Sequence, residues 1–380
     1  SDIEVRPSVS VSMVPDVEEL RFTTGELEAG NMFKMFDLEV SLLSNFPSGT
    51  MGSAIINITS QATQFTSADG ASYGVQESSR WDSSVGPNST SLDLGQSRTL
   101  VTSVLGPTET LPAAGVLNFT LTASTSLSGM VGITSPDTSS TFRVIIETVI
   151  DGELEDSPIT AGVPAVENNA TMVLTNTGNA LSDYTLSTPG LPGWVVSLSP
   201  NAVTALAPEV GTWPTGIDSV FQNVVVTATP PSDARADIVH EIEILLFDGE
   251  GSFVDNGTAR FVLDEVIGAL IEPDSLEIEV PSEGTQTASF IVRNMGNSLQ
   301  SFDISTGNFV GGTDFTIGAP STVTVEPGAN ATLSVDVTAL STARADSTYS
   351  FELILEHNGT EQDRSTVLVG IEKIHDIRLS

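Results

Sequence analysis

Acidic side chains concentrate at two places where one strand-rich segment of the sequence gives way to the next. The first group contains Asp151, Glu153 and Asp156, with Glu147 and Glu155 beside them. A second group follows at Asp264, Glu265, Glu272 and Asp274. Ca²⁺ prefers about six to eight oxygen ligands, and carboxylates supply them. We therefore predict calcium at Asp151, Glu153 and Asp156. The spacing matches no calcium-loop motif, so solvated surface charge is the competing interpretation.

Seven Asn residues lie in the Asn-x-Ser/Thr pattern that accepts N-linked glycans. They are Asn57, Asn88, Asn118, Asn169, Asn256, Asn330 and Asn358. All seven fall in predicted turns or on alternating strands, where an outward-facing Asn is accessible. The enrichment over chance is modest in a Ser/Thr-rich chain, so coincidence is the alternative. If the protein is exported, we expect several of these residues to carry glycans.

No residue pattern in the sequence supports catalysis, and we predict that the chain is not an enzyme. His240, His357 and His375 are scattered without metal-ligand spacing. Gly-x-Ser-x-Gly, P-loop and HExxH patterns do not occur. Paired carboxylates for glycoside cleavage usually need an aromatic-lined groove as well. The three Trp residues, Trp81, Trp194 and Trp213, are too separated to form one. Trp194 is expected in a core or at a strand edge.

The charge balance disfavours two classes of partner. The chain has 49 Asp and Glu residues against 13 Lys and Arg residues, a net charge of −36. Nucleic acids and anionic membranes are bound through basic side chains, so we expect neither as a partner. Strong acidity suits a protein that stays soluble in salt water, where its self-repulsion is screened.

Cysteine content and hydropathy bear on the compartment. The chain has no cysteine, which fits a prokaryotic surface protein or a cytoplasmic one. It opens with no signal peptide, and no apolar run approaches the roughly 20 residues that span a bilayer. We therefore expect a mature protein or an excised segment that does not itself cross a membrane.

One ten-residue stretch occurs twice, at 170–179 and at 288–297. Each copy is an apolar strand that runs into Asn-x-Gly-Asn. The apolar residues on both sides of the strand predict that it is covered on both faces or lies centrally in its sheet. Glycine tolerates a positive φ and Asn bonds to nearby backbone, which predicts a turn rather than a ligand site. The turn residues are Asn176, Gly178, Asn179, Asn294, Gly296 and Asn297.

A second repeat confirms that the last two thirds of the sequence contain duplicated units. Ala-Arg-Ala-Asp occurs at 234–237 and at 343–346, and each copy precedes a strand-like segment. About seven short strands per unit, separated by turn signals, indicate an immunoglobulin-type β-sandwich. A period above about 100 residues indicates a domain array rather than a solenoid. The predicted fold class is therefore all-β, with tandem immunoglobulin-like β-sandwich domains in an elongated array.

The predicted domains follow each other with almost no linker, which favours stiff end-to-end strings. Residues 1–147 form a divergent sandwich with a long insertion at about 60–97 and a short helix around 17–22. Residues 148–267 and 268–374 form the two repeated domains. Residues 375–380 are a terminal strand, which either starts a further domain or completes a sandwich in another subunit.

The second unit carries a family resemblance. Its Thr-Asn-Thr-Gly-Asn at 175–179, Asp-Tyr-Thr-Leu at 183–186, Pro-Gly-Trp at 192–194 and Pro208 resemble the immunoglobulin-like domains of prokaryotic surface proteins. These are the cell-adhesion-related (CARDB-type) and NPCBM-associated families, which are common in archaeal envelope proteins. The resemblance covers 154–369, although the third unit lacks Pro-Gly-Trp and the first matches only in its strand pattern. It implies a structural module and an extracellular location rather than an activity.

Three functions remain open from the sequence. The first is a structural component of a prokaryotic, archaeal, cell exterior, such as a filament, surface layer or stalk. Its contacts would be with itself or with neighbouring domains, head to tail, and glycans would cover its faces. The second is an adhesin or carbohydrate-binding module, displayed on the first domain. The third is an accessory region of a large secreted hydrolase.

Overall fold

Paired β-sheets follow one another along the chain in the computed structural model, which describes residues 7–68, 77–130, 132–209 and 220–373. We name the three pairs by their strands: domain 1 spans 9–146, domain 2 spans 153–263 and domain 3 spans 269–371. The described residues contain no helix that is long and apolar enough to cross a membrane.

Domain 1 has nine strands and two short helices in its described part. They are β1 (Val9–Pro15), β2 (Glu19–Phe22), α1 (Thr24–Glu28), β3 (Phe33–Ser44), β4 (Ser53–Ser67), a 3-10 helix (Ser78–Arg80), β5 (Asp82–Gly86), β6 (Ser89–Asp93), β7 (Ser97–Leu105), β8 (Gly115–Ser128) and β9 (Thr138–Ile146). One sheet has the order β1-β3-β7-β5 and the other has β2-β9-β8-β4-β6.

Domains 2 and 3 repeat this topology strand for strand. Domain 2 contains β10 (Glu153–Glu155), β11 (Thr160–Gly162), β12 (Asn168–Thr175), β13 (Ser182–Ser187), β14 (Val195–Ser199), β15 (Ala202–Leu206), β16 (Phe221–Thr229), β17 (Val239–Asp248) and β18 (Phe253–Leu263). Domain 3 contains β19 (Ala269–Glu272), β20 (Ser275–Val280), β21 (Thr285–Asn294), β22 (Gln300–Val310), β23 (Phe315–Gly318), β24 (Thr322–Val325), β25 (Asn330–Ala339), β26 (Tyr349–His357) and β27 (Thr360–Ile371). Their sheets are β10-β12-β16-β14 with β11-β18-β17-β13-β15, and β19-β21-β25-β23 with β20-β27-β26-β22-β24.

The all-β, tandem sandwich fold is as the sequence predicts, but each domain has nine strands in its described part rather than about seven. The two extra strands are short, such as the three-residue β10 and β11. The second strand of each domain pairs in parallel with the ninth, as β11 pairs with β18. Strands this short lack the alternating pattern that identifies longer ones.

Three details of domain 1 differ from the sequence predictions. The segment 17–22 contains strand β2 instead of a helix, because Leu20 and Phe22 alternate with polar neighbours and pair with β9. The helix follows at Thr24–Glu28. The expected insertion at 60–97 contributes β5 and β6, which take the same places in the sheets as β14 and β15 do in domain 2. Domain 1 is therefore divergent in sequence but not in topology.

Each domain buries its own apolar core between its two sheets. In the repeated stretch, Met172, Leu174, Phe290 and Val292 point into these cores and are at most 1% exposed. Of the two alternatives for this strand, the structure shows the central position, because β12 lies between β10 and β16 and β21 lies between β19 and β25. The outward face is not fully covered, since Ile291 is 44% exposed. Burial on one face fixes the register, since a shift by one residue would turn the core side chains outward.

The connections between domains are short. Strand β9 ends at Ile146 and β10 begins at Glu153, while β18 ends at Leu263 and β19 begins at Ala269. The predicted terminal strand at 375–380 lies outside the described residues. The two short linkers place the Asn-x-Gly-Asn turn of each following domain beside the end of the preceding one.

Candidate functional site at the domain junctions

The first Asn of the Asn-x-Gly-Asn turn bonds within its own domain. Asn176 is 0% exposed. Its Nδ2 donates to the carbonyls of Ala180, at 2.9 Å, and Leu206, at 2.7 Å. Its Oδ1 accepts the Gly178 amide at 3.0 Å. Both donor protons and the acceptor of the carboxamide are therefore satisfied, which a buried polar side chain requires.

Asn294 repeats this arrangement in domain 3 and is also 0% exposed. Its Nδ2 donates to Ser298, at 2.8 Å, and to Val325, at 2.9 Å. Its Oδ1 accepts the Gly296 amide at 2.8 Å. The first Asn of the motif thus links the turn that follows its strand to the end of a strand in the opposite sheet, β15 in domain 2 and β24 in domain 3, and its role is structural.

The second Asn of the turn bonds to the preceding domain and to the linker. The Nδ2 of Asn179 donates to the carbonyls of Pro112 and Glu147, both at 3.0 Å. Its Oδ1 accepts the Val149 amide at 2.7 Å. Its backbone amide donates to the Val149 carbonyl at 3.1 Å, and its carbonyl accepts the Ala114 amide at 2.9 Å. One residue, 1% exposed, therefore makes five hydrogen bonds across the first junction.

Asn297 forms the same five bonds at the second junction, and it too is 1% exposed. Its Nδ2 donates to the carbonyls of Ala234 and Asp264, both at 3.1 Å. Its Oδ1 accepts the Val266 amide at 2.8 Å. Its backbone bonds the Val266 carbonyl at 3.2 Å and the Ala236 amide at 3.0 Å. The Ala-Arg-Ala-Asp repeat is thus the loop of domain 2 that receives domain 3.

The glycine of the turn is required by a close approach of backbones, and not by a positive φ. Neither Gly178 nor Gly296 has a φ in the left-handed region. A Cβ on Gly178 would overlap the carbonyl oxygen of Val149, and a Cβ on Gly296 would overlap that of Val266. The expectation of a positive φ is therefore wrong. A side chain would separate the turn from the linker that it binds.

Further polar contacts hold the first linker on its two sides. The Glu147 carboxylate accepts the Thr24 amide at 3.0 Å and pairs with Arg21 at 3.2 Å. These bonds hold the pKa of Glu147 below its ordinary value. The hydrogen bond from the Thr24 amide has the larger effect, and the bond from Arg21 has the smaller one. On the side of domain 2, the Tyr184 hydroxyl donates to the Asp151 carbonyl at 2.6 Å. Burial raises the pKa of Tyr184, so this hydroxyl stays protonated and keeps donating.

Charged groups join domains 2 and 3 at the second junction. The carboxylate of Glu265, in the linker, accepts hydrogen bonds from Ser298 and Gln300 of domain 3, each at 2.5 Å. Arg235 of domain 2 lies 3.5 Å from Glu326 of domain 3. The latter pair is exposed, so it contributes little energy by itself, but it fixes which charges face each other.

The predicted calcium ligands are not brought together. Asp156 accepts the Thr258 amide at 2.8 Å and pairs with Arg260 at 2.7 Å. Asp151 accepts the neighbouring Gly152 amide, and Glu153 lies on β10. In the described part of the chain, no group of three or more acidic or His side chains has the arrangement of a metal site. Calcium binding at Asp151, Glu153 and Asp156 stays a prediction from sequence.

The sequons lie where glycans have room. Six of the seven Asn residues are exposed, and the seventh, Asn118 on β8, is half-buried. The exposed ones are Asn57, Asn88, Asn169, Asn256, Asn330 and Asn358. Glycosylation itself stays a prediction, although the structure shows that six of these Asn residues are exposed to solvent.

The aromatic residues provide no platform for a sugar. Trp81 is 4% exposed and packs edge-on against Phe22 in the core of domain 1. Trp194 is half-buried and packs against His240, with ring centroids 4.9 Å apart. Trp213 lies outside the described residues, as does His375. A cleft of about 440 Å³ in domain 1 is lined mainly by hydroxyl and amide side chains. Among the described aromatic residues, only the buried Trp81 lines this cleft.

The junction partners are the functional residues that sequence reasoning missed. The linker residues Val149 and Val266, and the loop at 112–114, were not singled out. The Ala-Arg-Ala-Asp repeat indicates duplicated units but does not by itself indicate a role in the junction. The sequence contains one signal of this contact, because the Asn-x-Gly-Asn turn and the Ala-Arg-Ala-Asp loop both occur twice.

The solved structures that resemble this chain include fragments with several domains. A titin I-band fragment, I67-I69, is 8% identical, covers 97% of this chain and 100% of its own, and has a TM-score of 0.37. The protocadherin GammaB4 extracellular domain is 10% identical, with 97% and 60% covered and a TM-score of 0.46. A mouse clustered protocadherin fragment, PcdhgC3 EC1-3, is 12% identical, with 72% and 83% covered and a TM-score of 0.40. No family model and no curated protein matches the chain. At TM-scores below 0.5 these similarities carry no functional argument.

Proposed function

We propose that this chain is a structural component of a prokaryotic, archaeal, cell exterior, in which tandem immunoglobulin-like domains hold fixed orientations. Its place would be an extracellular filament, a surface layer or a stalk. The observation that carries the proposal is the repeated junction. Asn179 and Asn297 each make five hydrogen bonds, which join the linker, the preceding domain and the following one.

The energetics favour a stiff connection over a flexible one. Each buried hydrogen bond contributes roughly 1 kcal/mol net, and a buried carbonyl left without its donor costs about 1–3 kcal/mol. Bending a junction would break several of these bonds at once. Domains joined by a free linker would show no such recurring contact. A filament, surface layer or stalk that must keep a constant length needs junctions that resist bending.

The composition supports an exterior location in salt water. The net charge of −36 keeps such a protein soluble and free of anionic surfaces. The lack of cysteine suits a prokaryotic exterior, where this fold has to be stabilised by packing and hydrogen bonds instead of disulfides. The six exposed sequons add sites where glycans would shield the faces.

The test replaces the junction carboxamides and measures domain orientation. Asn179→Asp and Asn297→Asp together keep the side-chain shape but remove the Nδ2 donors that bind Pro112 and Ala234. We expect residual dipolar couplings to fit one alignment tensor for all three domains in the native chain and three separate tensors in the variant.

The matched control is Asn201→Asp, because Asn201 is exposed and lies away from both junctions. It should leave the single tensor intact. Independent tensors in the native chain, or a single tensor in the double variant, would contradict a stiff spacer held by these side chains.

A further inference from the structure

Both junctions use the same pair of backbone groups on the preceding domain. These are the carbonyl of the first residue and the amide of the third residue in a three-residue loop. The loop is Pro112-Ala113-Ala114 in domain 1 and Ala234-Arg235-Ala236 in domain 2. In each case the Asn of the following domain binds both groups. We call this loop the receiving loop.

Domain 3 carries the same receiving loop at Ala343-Arg344-Ala345. The Ala343 amide donates to Leu340 at 2.9 Å, as the Ala234 amide donates to Pro231 at 3.1 Å. The Tyr349 hydroxyl accepts the Arg344 amide at 2.8 Å and fixes the middle of the loop. The first residue of the loop is thus held as in domain 2, whereas the middle residue is held by Tyr349 in domain 3 and, through its carbonyl, by His240 at 2.6 Å in domain 2.

The adjoining backbone is also in place. The amide of Glu372, just after the last strand, donates to Val280 at 3.0 Å. Asp264 makes the equivalent bond to Gly162 at 2.7 Å, and the Asp264 carbonyl is the one that binds Asn297. Within the described residues, the carbonyl of Ala343 and the amide of Ala345 bind nothing.

Domain 1 carries the complementary face. Asn45 lies three residues after Leu42, as Asn297 lies three residues after Asn294, and the carbonyls of Leu42 and Asn294 accept equivalent amide bonds from Gly95 and Gly328. Its amide donates to the Ser8 carbonyl at 3.3 Å, and its Oδ1 accepts the Ser8 amide at 2.6 Å. Asn179 makes this same reciprocal pair with Val149, at 3.1 Å and 2.7 Å. Asn45 is exposed, whereas Asn179 is 1% exposed inside its junction.

The charges at the two ends also match those of a formed junction. Arg235, in the middle of the receiving loop of domain 2, faces Glu326 across the second junction at 3.5 Å. Arg344 occupies the corresponding position in domain 3 and is exposed. None of the ion pairs between described residues includes it.

Asp93 is the counterpart of Glu326 in domain 1. It opens a turn in which the Gln96 amide donates to Asp93 at 3.0 Å and the Gly95 amide donates to Leu42 at 2.8 Å. The equivalent bonds in domain 3 run from Ala329 to Glu326 at 3.0 Å and from Gly328 to Asn294 at 3.1 Å. Asp93 is exposed, and none of the ion pairs between described residues includes it.

We propose that the face of domain 1 containing Asn45 and Asp93 binds the receiving loop of domain 3 in a second copy of this chain. The Asn45 side chain would bond to Ala343 and its backbone to Ala345, while Asp93 would face Arg344. The contact is heterologous, so repeating it joins copies head to tail. The proposal extends the spacer function to assembly and rests on it.

Site-specific cross-linking tests the contact, because the native chain contains no cysteine. One chain carries Asp93→Cys and another carries Arg344→Cys, and the two are mixed with a short bis-maleimide in 1 M NaCl. Salt at that concentration shortens the Debye length to about 3 Å, which suppresses the mutual repulsion of acidic chains. We expect one covalent dimer in the mixture and none from either chain alone.

The matched control replaces Asp93→Cys with Glu109→Cys, an exposed acidic position elsewhere on domain 1. It should give less than one tenth of the dimer. Equal yields in both mixtures would overturn the proposal, and so would dimers from a single-cysteine chain, since they require a symmetric contact.

A charge exchange separates this contact from general stickiness. Asp93→Arg or Arg344→Glu alone should weaken self-association in sedimentation velocity by at least about threefold, and both changes in one chain should restore it. Failure of the exchange to restore association would contradict the assigned pairing. The dipolar-coupling result on the internal junctions is independent, so a stiff spacer that stays monomeric would refute only the assembly.

Discussion

The Nδ2 of Asn297 donates to the carbonyl of Ala234, 63 positions earlier and in the preceding domain, at 3.1 Å. Both residues belong to short motifs that recur in the sequence. The bond joins the motifs to each other and places the end of one sandwich on the start of the next. The turn motif is therefore a junction motif as well as a turn.

Removal of the intradomain carboxamide should cost more stability than removal of an exposed one. Asn294→Ala leaves the carbonyls of Ser298 and Val325 without donors in a buried site. We expect the free energy of unfolding of domain 3 to fall by about 2–4 kcal/mol. Urea unfolding followed by circular dichroism, with hydrogen exchange to assign the domain, measures it. Asn201→Ala is the control, and equal losses in the two variants would refute the role of Asn294.

A methyl group at the turn glycine should disturb the junction. Gly296→Ala places a Cβ against the Val266 carbonyl oxygen, so either the linker moves or the turn does. Overpacking of this kind costs about 1–3 kcal/mol. We expect faster amide exchange at Val266 and Asn297. The control is Gly25→Ala, where a Cβ meets nothing within 4 Å. Unchanged exchange in Gly296→Ala would show that the backbones are not held in contact.

The ion pair of Glu26 and Lys34 should make domain 1 sensitive to acid. The two side chains lie 2.8 Å apart, and Lys34, followed by the Thr23 amide, lowers the pKa of Glu26 from 4.5 to about 2. A lowered folded-state pKa contributes stability above the unfolded pKa, and that stability is lost as the pH falls from 4.5 towards 2.

Replacement of this carboxyl group tests the pH dependence. Glu26→Gln should lower the Tm of domain 1 at pH 7 by about 2–5 °C, and the difference should vanish near pH 2. Calorimetry at several pH values measures it, with Glu28→Gln, an exposed neighbour, as the control. A constant difference between the two Tm values at every pH would rule out the assigned titration.

Glycans should be found on the exposed sequons of native material. Intact mass should exceed the sequence mass, and Asn57→Gln should remove one glycan mass if that site is occupied, because Asn57 is exposed on β4. Asn118 is half-buried between two neighbouring strands and should show the lowest occupancy. A native mass equal to the sequence mass would remove glycosylation from the account.

Local patterns in the sequence were enough to predict the fold class and the turns. Polar and apolar residues alternate along β17, as at Glu241 and Ile242, and burial follows the same period of two without any knowledge of the partner strand. The turn residues Asn176 and Asn294 follow from their own backbone bonds to Gly178 and Gly296. The same rules failed at β2, where a helix is predicted around 17–22, because two buried positions in a four-residue strand are too few to distinguish a strand from a helix.

Only the tertiary structure assigned the second Asn of the turn to a junction. The partners of Asn179 lie at Pro112 and Val149, and no local pattern links positions so far apart. The requirement for glycine also comes from the tertiary structure. Gly178 is needed because a Cβ there would overlap the Val149 carbonyl oxygen, and not because its φ is positive. The sequence determined that these residues recur, since recurrence is a property of the chain. The three-dimensional contact determined why, since hydrogen-bond partners are selected by distance in space.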